Sequence, residues 1–312
     1  KGGTVSGTVG GDTIKVSTFD QLQGLALAST MGITLENKTI ELTADIDMTG
    51  KTWTPFGFRA ENTTDNSFSG TIDGQGHKII GLSNGNYKGN TSQNQFTQIS
   101  GDVYGFIAYT KGAVAVKNIT FENVNINSGS AKVCAVVVGH TGNDSDNSKV
   151  TTSLTLENIK ITGTVAGKDK VAGLVGYLKA VDKAVISNCA VEATVSTTTE
   201  GYRAGGLFGF VSLSTVTVEG CSYNGKVEAG TQNGNSWCGL LTSGCAGSVI
   251  MNVKDCTFSG TAKTTLAKNA TAPRKLGYIL GNDQYVIGTL ATGKPDDNAK
   301  TLENGTFGFN TK

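Results

Sequence analysis

The chain has 312 residues, and its 26 Lys and Arg nearly balance 25 Asp and Glu, so a net charge of +1 supplies no global field to draw in nucleic acid. Gly reaches 43, Pro stops at 3 and charged residues make up 16%. This excludes a disordered chain, which needs low hydrophobicity and high net charge, and disfavours a helical one, because Gly, Thr, Val and Asn are poor helix formers.

Residues 1–12 are Gly- and Thr-rich and read as a loose lead-in. Thr18 followed by Gln21 is a capping-box spacing that starts a helix, and Leu22, Leu25, Ala26 and Ser29 then fall on one face. A helix at the front of a β chain suits the task of covering the open end of a sheet stack. Residues 39–48 (TIELTADIDM) alternate apolar and polar, as in a half-buried strand. FSGTID at 68–73 and HKIIGL at 77–82 are further strands, separated by the turn Gly74-Gln75-Gly76. Residues 84–100 are polar and rich in Gly and Asn, a surface loop.

From Tyr104 one short apolar phrase recurs: YGFIAY, CAVVVGH, VAGLVGY, AGGLFGF, CGLLTS and LGYILG. Its second or third residue (Gly105, Val136, Gly173, Gly206, Gly239, Gly277) returns at spacings of 31, 37, 33, 33 and 38. A second phrase follows five copies, as in VKNI, LENI, ISNC, VEGC and VKDC, and a weaker third follows that. Each unit thus holds about three short strands separated by Gly, Asn and Ser turns, and such units bury themselves only by stacking. Stacking puts Leu174, Leu207 and Leu240 in one inward column and Cys189, Cys221 and Cys256 in another, with Asn118, Asn158 and Asn188 as an amide ladder at a corner. This is an all-β parallel β-helix, a solenoid with a short N-terminal capping helix. A four-stranded propeller blade and a sandwich fit the repeat less well. The expected division is a single domain over 1–312: an N-terminal cap and first coils at 16–103, repeat coils at 104–281 and a C-terminal cap at 282–312. Six cysteines without a CxxC pair read as small buried hydrophobes.

The run FSGTIDGQGHKIIGL at 68–82, the upstream LTADIDM with Trp53-Thr54-Pro55, and the later GLVG and GLFG phrases resemble right-handed β-helix proteins with GLUG-type repeats, as found among Bacteroidales cell-surface proteins. The resemblance spans residues 16–281. It implies a right-handed coil, an extracellular or outer-membrane-associated location in which a lipid anchor outside this stretch has a place, and an adhesin-like binding role. It hands over no catalytic set.

The candidate chemistry is sparse. Asp45 and Asp47 lie two apart on a strand, but a pair of this kind is ordinarily a solvated face rather than a glycosidase dyad. Asp73 shapes a turn. His77 and His140 lie in different units, too far apart to share a metal, and Asp144 and Asp146 in the inserted loop at 142–148 lack a calcium-loop register. Gly81-Leu82-Ser83-Asn84-Gly85 matches a nucleophile elbow in letters, but no helix follows it. No metal and no cofactor is therefore expected. One feature stands out. Lys170, Tyr202, Arg203, Trp237 and Lys275 precede successive apolar phrases, with Lys168 and Arg274 beside them, so stacking lines them along one edge. Aromatic faces stack on sugar rings and cations pair with carboxylate or sulfate, which points to an acidic polysaccharide or a host or bacterial surface protein as partner. The other readings are a polysaccharide lyase or glycoside hydrolase on the same scaffold, and a structural spacer.

Overall fold

A computed structural model describes residues 12–57, 66–84, 103–129, 131–142, 147–199, 201, 203–230 and 236–264, with the backbone of three short strands, Arg274–Leu276, Thr301–Glu303 and Phe307–Gly308. The lead-in at 1–11, the loop at 85–100, the tip of the inserted loop at 143–146, Tyr202, and most of 282–312 lie outside the described residues.

The chain winds into a parallel β-helix. Four strand positions follow one another in a coil, as in Val171–Ala172, Val175–Lys179, Lys183–Ser187 and Ala190–Thr197. Each pairs in parallel with its counterpart one coil on: Arg203–Gly205, Phe208–Ser212, Thr215–Glu219 and Ser222–Ala229. Each apolar phrase is thus two strands. Its Gly-Leu pair bends the chain, so the first half joins one sheet and the second half another. Glycine is required there by contact: a Cβ on Gly206 would lie 2.1 Å from the Leu240 carbonyl oxygen and 2.7 Å from the Tyr223 ring.

The inward columns form with one correction. Leu174 stacks on Leu207, but Leu207 aligns with Leu241 rather than Leu240, which lies opposite Gly206, because the next phrase is shifted by one residue; all four leucines are buried. Cys189, Cys221 and Cys256 continue a column begun by Ile119 and Ile159. The segment at 39–48 differs from its expected form. It is two strands, Thr39–Leu42 and Ile46–Asp47, with a corner at 43–45. The apolar alternation runs through the corner because Ile40, Leu42, Ile46 and Met48 still face the core.

At the N-terminal end α1 (Phe19–Thr30) forms where its cap predicts. Thr18 has extended backbone and accepts the Gln21 N–H at 3.3 Å, while the Gln21 side chain reaches back to the Ser17 N–H at 2.8 Å. Leu22, Leu25, Ala26 and Ser29 are its buried face. The core near it is aromatic: Trp53 stacks on Phe106 at 5.1 Å, and its indole N–H donates to the Phe106 carbonyl at 3.1 Å. At the other end, Thr257–Thr264 pairs antiparallel with Thr301–Glu303 and Phe307–Gly308, which covers the exposed edge of that sheet. Among the described residues no helix is long and apolar enough to cross a membrane.

Candidate functional site: an edge of cations and aromatic rings

The edge singled out in the sequence is assembled by register. Arg203 pairs with Trp237 and Trp237 with Lys275, and Lys170 precedes Val171, the partner of Ala204, so these four positions form one column. Tyr202 is outside the described residues, and of Lys275 only the backbone position is given.

The column is backed by a second one. The last residue of each phrase stacks outward, Tyr109 on His140, His140 on Tyr177, and Tyr177 on Phe210. Ring centroids step at 5.5, 4.8 and 5.8 Å, and Phe210 then meets Trp237 at 5.8 Å. Tyr109, His140 and Phe210 are buried, whereas Tyr177 and Trp237 are partly exposed. The His140 Nδ1 accepts the Gly142 N–H at 2.8 Å, which fixes the neutral ring as the Nε2–H tautomer.

Beside the first column sits Asp169, itself buried. Arg203 clamps it with Nε to Oδ1 at 2.8 Å and Nη2 to Oδ2 at 2.5 Å, and the Lys170 ammonium lies 3.1 Å from Oδ2. The Arg203 guanidinium lies 4.8 Å from the Phe210 centroid and 6.0 Å from that of Trp237, and Lys170 lies 5.1 Å from Tyr177. Lys170 adopts a left-handed φ of 47°, so its position is imposed by the fold rather than free to vary. Two cations share one carboxylate, and both lie against the aromatic column.

The aromatic column and Asp169 were not singled out in the sequence. The signal was present: four phrases end in Tyr, His, Tyr and Phe, but the terminal letter looked like one more apolar residue.

The other candidates have structural roles. Asp45 accepts the Lys78 N–H at 2.9 Å and faces the His77 Nδ1 at 3.2 Å, and Asp47 accepts the Thr49 N–H at 2.8 Å. These bonds hold both carboxyls below their ordinary value, the Lys78 amide acting most on Asp45 and Thr49 on Asp47. Asp73 shapes its turn as expected, accepting the Gln75 N–H at 3.0 Å. Burial alone would raise its carboxyl, but Gln75, Asn118 and Lys117 together bring it below the ordinary value. A general acid for glycoside hydrolysis needs a raised pKa, and these three carboxyls are shifted the other way. Gly81 lies in a bend and Ser83 in an isolated bridge, and the residues that follow them, 85–102, lie outside the described residues. Asp144 and Asp146 lie outside the described residues. Among the described residues no group of three His, Cys, Asp or Glu could hold a metal ion.

Stacked parallel coils capped at one end by a helix define a β-helix protein, and comparison with known proteins agrees. Residues 13–134 match the profile of a family provisionally described as a pectate lyase-like adhesive domain. Over 150 residues, 46% of the chain, the sequence is 30% identical to Halomucin of Haloquadratum walsbyi, of which it spans 1%. The fold is similar to the crystal structure of a Bacteroides ovatus protein provisionally described as an immunoglobulin A1 protease, with a TM-score of 0.56, 18% identity, and coverage of 94% of this chain and 82% of that one. At that identity the likeness is one of fold.

Proposed function

We propose that this protein is a non-enzymatic, extracellular or cell-surface adhesive β-helix of the GLUG-repeat type. On this reading its edge column of Lys170, Tyr202, Arg203, Trp237 and Lys275 binds a glycan, an acidic polysaccharide foremost, or a surface protein. The observation that carries the reading is the Asp169 cluster. A carboxylate shared by two cations, backed by a ladder of rings, presents a preorganised edge at which Tyr177 and Trp237 are partly exposed, and preorganisation lowers the cost of binding. The match of residues 13–134 to an adhesive domain and the partial identity to Halomucin agree with a surface role.

The test is a glycan array and a cell-surface binding assay with Trp237→Ala and Lys170→Met. Both variants are expected to retain the far-UV circular dichroism of the parent and to lose about tenfold in retention of the bound ligand, the size of effect typical of an aromatic or charged anchor. Undiminished binding by both variants would refute the assignment of the edge. Cleavage of an acidic polysaccharide by the purified protein would refute the non-enzymatic reading.

A further inference from the structure

A second feature lies at a different corner of the coil. Successive coils turn this corner through one residue in left-handed conformation: Asn118, Asn158, Asn188, Gly220 and Asp255, with φ between 51° and 63°. The coil that contains Gln75 turns it differently. Asp73 pairs with Lys117 and Lys78 with Thr120, so four residues, 74–77, span what two residues, 118 and 119, span in the next coil. The third coil again uses two, because Glu157 pairs with Lys117 and Lys160 with Thr120. The longer turn stands out as a ledge over the two shorter ones. It is seated firmly: Gly74 and Gly76 donate to the carbonyls of Lys117 and Asn118, each at 2.8 Å, and a Cβ on Gly74 would lie 2.4 Å from the Asn118 carbonyl oxygen.

Below the ledge is a groove of about 400 Å³. Gln75 and Gly76 form its upper wall, Asn118 and Thr120 its floor beside Ile119, and Asn158 and Lys160 its far wall. The groove is a shallow, largely open depression rather than an enclosed cavity. The polar groups are of two kinds. Some are committed and therefore fixed: the Asn118 amide donates to Asp73 Oδ1 at 3.1 Å and accepts from Asn158 Nδ2 at 3.0 Å. Asp73 is neutralised by Lys117 at 3.2 Å, and Lys78 by Glu122 at 2.8 Å. The others are available. The Gln75 amide, the remaining N–H and the carbonyl of Asn158, and the Thr120 hydroxyl line the groove. Among the described residues, Lys160 has no carboxylate partner. The groove thus offers amide and hydroxyl groups that both donate and accept, one exposed ammonium, and no uncompensated carboxylate.

We propose that this groove binds a single sugar residue bearing one anionic substituent, a carboxylate or a sulfate. Amides and a hydroxyl that donate and accept at once are the complement of a ring bearing several hydroxyls, and Lys160 supplies the counter-charge for the anionic group. The site shares with the edge reading only the premise that the protein binds carbohydrate.

The experiment follows the side-chain amide resonances of Gln75 and Asn158 in the ¹⁵N-labelled full chain during titration with glucuronic acid, glucose 6-sulfate and glucose. The expected result is a saturable shift of both amides with the carboxylate probe, the sulfate probe or both, which also identifies the anionic group, and a much weaker response to glucose. Lys160→Met should weaken the anionic probe about tenfold, as loss of a charged hydrogen bond does, without changing the melting temperature. Trp237→Ala should leave these shifts intact, so failure of the edge and failure of the groove are read separately. The proposal is overturned if glucose shifts the amides as strongly as the charged probes, if Lys160→Met leaves the affinity unchanged, or if neither amide responds to any probe.

Discussion

At the scale of single residues the corner asparagines show how a side chain can serve conformation and hydrogen bonding together. Asn118 and Asn158 sit at φ of 53° and 52°, a left-handed region that Asn tolerates at lower cost than most L-residues, and they join through their amides at 3.0 Å. Asn118 also donates to Asp73, which is buried beneath the ledge. Replacing Asn118 by Ala puts a Cβ-bearing residue with no compensating amide into the left-handed region, at about 1–2 kcal/mol, and takes a donor from a buried carboxylate, at about 1–3 kcal/mol. A loss of about 2–5 kcal/mol in urea unfolding is therefore expected, with Asn118→Gly less damaging because glycine tolerates the backbone. The acid limb moves too. The Asp73 carboxyl lies below its ordinary value in the folded protein. Its stabilising share is therefore complete above the unfolded value of about 3.9 and is lost as pH falls through the lower folded value. With one donor gone the folded value rises, so the variant should acid-unfold at higher pH than the parent. An unchanged acid midpoint would show that the Asn118 amide does not hold this carboxylate.

At the scale of elements, the repeat phrase was legible as a strand but not as two. Val, Leu and Gly letters report burial and close approach, and they do so equally in a straight strand and in one bent at Gly173 or Gly206. Residues 39–48 behave alike, because inward alternation passes through the corner at 43–45 without a break. Helix α1 was legible residue by residue because its cap and its 3.6-residue period are local signals. The edge column was legible because register follows from repeat spacing, whereas the Asp169 clamp depends on side-chain directions that spacing does not encode. The groove below Gln75 arises from a two-residue difference in corner length, visible only once the coils are aligned. The cysteine column was legible as well. All six cysteines are free and buried. Hydrogen bonding with Cys189 is foremost in pushing the Cys221 thiol up to about 12, and burial pushes Cys238 to about 12. A thiol that is neither ionised nor accessible does not attack. The native protein should therefore leave all six thiols unlabelled by a charged disulfide reagent at pH 8, and guanidinium should expose all six. Rapid native labelling of Cys189, Cys221 or Cys256 would place that column outside the core.

At the scale of the whole molecule, a coil touches only the coils beside it, so stability is a chain of nearest-neighbour terms rather than one shared core. The long outward faces follow from this, and so does a weakness at the ends. The N-terminal end depends on α1. Leu22, Leu25 and Ala26 cover a core whose first layers include Val16, Ile40 and Leu42, all buried. Leu22→Ala removes a fully buried side chain, at a local cost of about 2–5 kcal/mol. In a globular core that cost would lower protection everywhere. Here it should fall on α1, Thr13–Val16 and Thr39–Leu42, leaving amide exchange in Lys183–Ser187 and Thr215–Glu219 near the parent rates. Binding should follow the same geography. The groove under Gln75 is one coil from Thr39–Leu42, since that strand pairs directly with Phe68–Asp73, whereas the Arg203–Trp237 edge lies several coils away. Leu22→Ala is thus expected to weaken a groove ligand before it disturbs an edge ligand. Equal loss of exchange protection along the whole stack would show that the coils unfold as one unit and that α1 caps the entire molecule rather than its first turns.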